Sequence, residues 1–172
     1  MASLMENIIE ILNNEELEYQ ELIKLSSEKT PIIIKGDLKA LDDVTEREQL
    51  VVARIQKLEK QRQQTMKDIA DVTNQSDKDM KLKDLIEMMK TRPEEQTKLK
   101  SVHDRLKITL ANMTKINEQN QELLKSSLDM VQFEINLVQS LKRAPETGDY
   151  NRKAYNTGSI MGSGTKLFDS KS

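Results

Sequence analysis

From Leu41 to Val72 the chain repeats an alternating three-and-four spacing: Leu41, Val44, Glu48, Val51, Ile55, Leu58, Arg62, Thr65, Ile69 and Val72. That period is a heptad seam, which aligns these positions on one side of a helix and requires another helix to cover them. Glu48 and Arg62 interrupt the seam, and polar seam residues lower stability while fixing register or partner choice.

The rest of the chain supplies the covering helices. Ser3 is a suitable N-cap for a first helix ending near Ser27, with Leu4, Ile8, Ile11, Leu12, Tyr19, Leu22 and Ile23 on one side. Thr30-Pro31 reads as the N-cap and first position of a separate single turn that Gly36 closes, and Asp37 caps the seam helix. The pattern fades at "TNQSDKDM", where Ser76 or Asp77 is expected to cap a short helix bearing Leu82, Leu85, Ile86 and Met89 over the end of the bundle. Pro93, followed by Glu94 and Glu95, opens a third long helix that Ala144-Pro145 stops after about Lys142. Its seam runs Leu99, Val102, Leu106, Thr109, Met113, Ile116, Asn120, Leu123, Ser127, Met130, Glu134, Leu137 and Leu141. The expected fold is all-α: an elongated antiparallel helical bundle or coiled coil of three main helices plus a short middle helix. Residues 1–143 form the helical domain. Residues 144–172, rich in Gly, Ser and Asn, form a tail expected to be disordered when alone.

Composition agrees with such a bundle. Only 36% of residues are hydrophobic, below the roughly 45–50% of a compact domain, and amphipathic helices need only one apolar stripe each. Acidic and basic residues interleave to a net charge of −2, which offers no footprint for nucleic acid. There is no cysteine, hence no disulfide framework or thiol chemistry. The acidic start "MASLMENIIEILNNEE" is unlike a signal peptide, and no apolar run nears the roughly 18 residues of a membrane span. A soluble, cytoplasmic protein is expected.

No constellation for catalysis emerges. His103 is the only histidine, and Lys100 stands where a Glu-x-x-His metal pair would need its carboxylate. Gly36 is isolated, and "GSIMGSG" neither follows a strand nor opens a helix, so no phosphate loop is present. The acids of "NNEELEYQE" lack the order of a calcium loop and read as a solvated helix face. Neither enzymatic activity, a cofactor nor a metal is expected.

The third helix, by contrast, has apolar residues to spare. On a helical wheel its main apolar residues from Leu99 to Ile116 fall within about 120°, whereas those from Leu123 to Leu141 spread over about 220°. Antiparallel connectivity accounts for part of the excess if Leu123, Met130 and Leu137 face the second helix and Leu124, Leu128, Val131, Ile135 and Val138 the first. The alternative use of that second face is to receive an amphipathic helix of another protein.

Four segments resemble the FlgN family of cytoplasmic chaperones for flagellar type III export. "EELEYQELIKLSSEKTPIIIKGDLKALDDVTEREQLVVARIQKLEKQR" is similar to the family's helix, short linker and Asp-led helix. "LKDLIEMMK" resembles its short middle helix, "INEQNQELLKSSLDMV" its spaced-asparagine stretch, and "YNTG…FD" its glycine-containing tail. The resemblance implies an all-α chaperone that binds hook-associated, hook-filament junction proteins before export. Such a chaperone keeps their terminal helices from premature assembly and delivers them to the export machinery. It also implies binding through the C-terminal helical region, which here points to Asn117, Asn120, Leu123, Leu124, Leu128, Val131, Ile135 and Val138. Ile160, Met161, Leu167 and Phe168 are possible tail contacts or simple passengers. The rival reading is a structural coiled coil that self-assembles without a client. Monomer and homodimer stay equally open, because a heptad seam serves both.

Overall fold

The computed structural model describes residues 2–75 and 80–143. Four α-helices follow one another: α1 (Ala2–Lys35), α2 (Leu38–Val72), α3 (Leu82–Met88) and α4 (Pro93–Arg143), with a 3₁₀ turn at Met89–Thr91. The chain divides into two units, Met1–Gln132 and Phe133–Ser172.

In the first unit, α1 and α2 form an antiparallel hairpin. Gly36, at φ +67°, takes the left-handed conformation that ends α1, and its N–H donates to the Ile32 carbonyl at 3.1 Å. Asp37 then caps α2 as its sequence suggests, accepting the Ala40 N–H at 3.0 Å. At the far end Asn74, φ 53°, closes α2, and the Gln75 N–H returns to the Ala70 carbonyl.

The expected break at Thr30-Pro31 does not occur: α1 is continuous, with Pro31 inside it. Proline removes the N–H that would serve the Ser27 carbonyl. Both Ser27 and Pro31 are exposed, so the lost bond lies on the outer side of the helix, where water can replace it. Thr30, rather than capping a turn, directs its hydroxyl inward to α4.

The seam of α2 is buried at Val44, Val51, Ile55, Thr65 and Ile69, whereas its last member, Val72, is exposed beyond the bundle's end. One apolar cluster joins Met5, Ile8 and Leu12 of α1, Met66 and Ile69 of α2, Leu85 of α3 and Leu99, Val102 and Leu106 of α4. A second joins Leu22 and Leu25 to Val44, Val51, Ile55 and Met113. α3 covers the end of the bundle, as expected, through buried Leu85, with Met89 of the following turn beside it. It starts at Leu82, where the Asp84 carboxylate accepts the Lys81 N–H at 2.9 Å; the expected caps Ser76 and Asp77 lie outside the described residues. The Gln96 amide donates to the Ile86 carbonyl at 2.9 Å, tying the start of α4 to α3.

The acids of "NNEELEYQE" are not all on the solvated face that their sequence suggests. Glu15 and Glu16 are buried; Glu15 accepts from Arg62 of α2 and Glu16 from Arg105 of α4, both at 3.0 Å. They face opposite neighbours and cross-link α1 to each. Arg105 also donates to the Asn13 side chain at 2.9 Å.

Candidate functional site

The level at which the hairpin ends defines the site. Arg105 meets Glu16, and Asn120 meets Ser26 and Thr30, so α4 runs parallel to α1. These pairs are 89, 90 and 94 residues apart. The same offset brings Lys35, the last residue of α1, opposite about residue 125 of α4, since two helices rise equally per residue. α1 has 34 residues and α2 has 35, whereas α4 has 51. The amino-terminal part of α4 is matched, with Leu99 packed among Met5 and Ile8; the excess therefore falls at its carboxyl-terminal end.

Burial follows this geometry. Leu123 and Leu124 are half-buried, and every residue from Lys125 to Arg143 is exposed. Within the first unit, the expectation that α1 and α2 flank the segment beginning at Leu123 is therefore corrected from Lys125 to Gln132. In the first unit Leu128, Met130 and Val131 are exposed; in the second, Phe133, Ile135, Leu137, Val138 and Leu141 are. The members expected on the partner face, Leu128, Val131, Ile135 and Val138, lie between 45% and 68% exposed.

The polar candidates separate. Asn117 is exposed and lines an open groove of about 310 Å³ with Leu22, Ser26, Gln49, Val52 and Met113. Asn120 is 3% exposed and is not a surface contact in this form. Its Nδ2 donates to the Ser26 carbonyl at 2.8 Å, which fixes the amide so that Oδ1 accepts the Thr30 hydroxyl at 2.7 Å. Ser26 in turn donates its Oγ to Glu48 of α2 at 2.8 Å, and Lys29 donates to the other Glu48 oxygen at 2.7 Å. A spaced asparagine and an interrupted seam thus meet in one polar clasp that sets the register of three helices. Ile160, Met161, Leu167 and Phe168 lie outside the described residues.

Met130, Phe133, Leu137 and Leu141 were not singled out as contacts by sequence reasoning. The heptad frame assigns Met130, Leu137 and Leu141 to an inner seam, yet all three are exposed, which the spacing of one helix does not reveal. His103 sits beside Asp104, Nδ1 to Oδ1 3.1 Å, on adjacent residues of one helix. Among the described residues no group of three or more His, Cys, Asp or Glu is placed to hold a metal, and no helix is long and apolar enough to cross a membrane.

This arrangement, a helical hairpin with a longer third helix, coincides with a family match. The family model described as FlgN protein matches residues 1–157. The chain belongs to the FlgN family. FlgN membership carries a flagellar export-chaperone role in general terms, and flagellar export components as its general class of partner. The match extends through the whole of α4. Searches among curated proteins and among solved structures give no match.

Proposed function

We propose that this FlgN-family chain receives the terminal helical segments of hook-filament junction proteins on the carboxyl-terminal part of α4. It thereby prevents their premature assembly and delivers them to the flagellar type III export apparatus. The observation that supports this reading is the apolar sequence Leu128, Val131, Ile135 and Val138, spaced by three and four on a helix that has outrun its own neighbours. That spacing suits an amphipathic client helix, whose anchors recur at the same interval. Leu123 and Leu124 mark where the hairpin ends and the client would begin. Burial of such a face contributes about 25 cal/mol per Å² of apolar area, against which association entropy is set. The balance favours a reversible complex, as delivery requires.

Titrating a purified junction protein's terminal helix into the full chain, with hydrogen exchange read along the backbone, tests the assignment. Protection gained from Leu124 to Leu141 and unchanged in α2 is the expected result. Protection confined to the α1–α2 hairpin would overturn it. A self-assembling structural rod, the rival reading, requires protection that grows with the chain's own concentration and is indifferent to the added helix.

A further inference from the structure

The second unit holds a helix end rich in exposed apolar side chains and, joined directly to it, a segment of unusual composition. Phe133, Leu137, Val138 and Leu141 are all largely exposed, two residues before the described chain ends at Arg143. Beyond it come two apolar pairs, Ile160-Met161 and Leu167-Phe168, within an otherwise polar sequence. The five aromatic residues of the chain are Tyr19, Phe133, Tyr150, Tyr155 and Phe168. Only Tyr19 belongs to the helical hairpin; aromatic side chains concentrate where surfaces are to be covered.

We propose that the chain's own C-terminal segment is the resting occupant of this face: Ile160-Met161 and Leu167-Phe168 pack on Phe133, Leu137, Val138 and Leu141 and compete with the client. The competition rests on the functional reading above; the contact itself does not. Length permits it. Ile160 is 17 residues beyond Arg143 and reaches up to about 56 Å at 3.3 Å per residue, whereas Phe133 lies only about 15 Å back along the helix. Gly162 and Gly164 separate the two pairs and let the chain turn across the helix between them. Covalent attachment sets an effective concentration of order millimolar, so even weak packing covers the face for much of the time.

Because cysteine is absent, Ser170→Cys in the full chain carries a single spin label. Methyl signals of Leu137, Val138 and Leu141 are expected to lose more than about half their intensity relative to those of Leu85 and Leu99. The loss should vanish when Ile160, Met161, Leu167 and Phe168 are all replaced by Ser. Equal broadening of both groups, or broadening that survives the four replacements, would overturn the contact. Broadening that rises with protein concentration alongside a doubled mass would overturn it too, by making a second copy the occupant. For competition, the four-Ser chain should bind a junction protein's terminal helix about two- to tenfold more tightly than the unaltered chain. Unchanged affinity would overturn the competition while leaving the contact standing. No binding by either chain would instead overturn the functional reading and the competition together, and the label result would still decide the contact.

Discussion

Asn120 of α4 and Thr30 of α1, ninety positions apart in sequence, share a 2.7 Å hydrogen bond in the interior of the bundle. The bond is half of an amide that also serves the Ser26 carbonyl, so Asn120 fastens the last covered turn of α4 to the hairpin. Replacing it with Ala removes both bonds and leaves the Thr30 hydroxyl only its 3.3 Å bond to the Ser26 carbonyl, at a cost of about 1–3 kcal/mol. Urea unfolding should show that loss, while client affinity of the folded fraction stays unchanged. A lost affinity in a fully folded Asn120→Ala chain would show that the residue is released to meet the client.

Pro31 offers a test of the continuous helix. Ala at this position restores an N–H to the exposed Ser27 carbonyl without touching the core, and Pro in a helix interior is disfavoured by up to about 3 kcal/mol relative to Ala. Pro31→Ala should therefore raise the urea midpoint, by less than that limit because the helix ends at Lys35. A lowered midpoint would mean that a break before Pro31 is needed after all.

Burial raises the Glu15 carboxyl above its ordinary value, with the Arg62 guanidinium opposing the rise and Glu59 adding to it. The folded state therefore holds this proton more tightly than the unfolded chain. The resulting stability is present below the ordinary carboxylate pKa and is lost as pH rises through the raised one. Compared with Glu15→Gln, the unaltered chain should gain relative stability as pH falls from 7 to about 4. Denaturant titrations of both chains at several pH values measure this, and a difference moving the other way would contradict it.

Gly36 carries the hairpin. A Cβ there meets nothing within 4 Å, so Gly36→Ala is opposed by the backbone conformation alone, at about 1 kcal/mol, and Gly36→Asn by less. Thermal melts should rank Gly, Asn and Ala in that order. Ala equal to Gly would indicate that the turn relaxes to another conformation.

Much of the fold is legible along the chain because helical periods are local. Val44, Val51, Ile55 and Ile69 are buried where the heptad puts them, and Asp37 and Gly36 act as cap and stop. Glu48 and Arg62, conspicuous as polar breaks in a seam, find partners on α1. What escapes sequence reading depends on distant groups. Glu15 and Glu16 look solvated until Arg62 and Arg105, 47 and 89 residues away, are brought beside them. Pro31 looks like a break because local propensity weighs only the lost bond, not the inward bonds of Thr30 on the opposite side. The face at Leu128 and Val131 was visible as an excess of apolar residues, but whether α1 covers it depends on relative helix lengths, which no single stretch encodes. Asn120 illustrates the same limit: spacing marks it as special without saying whether it points to a client or to Ser26.

The central claim is that the apolar face beyond the hairpin binds a client rather than holding the bundle together. Replacing Leu128, Val131 and Ile135 with Asp and measuring helicity, melting and binding of a purified junction protein tests it most directly. The expected result is a melting temperature and helicity close to the unaltered chain's, with client binding reduced at least tenfold. Collapse of the bundle on replacement, or an unaltered chain that binds no junction protein, would contradict it.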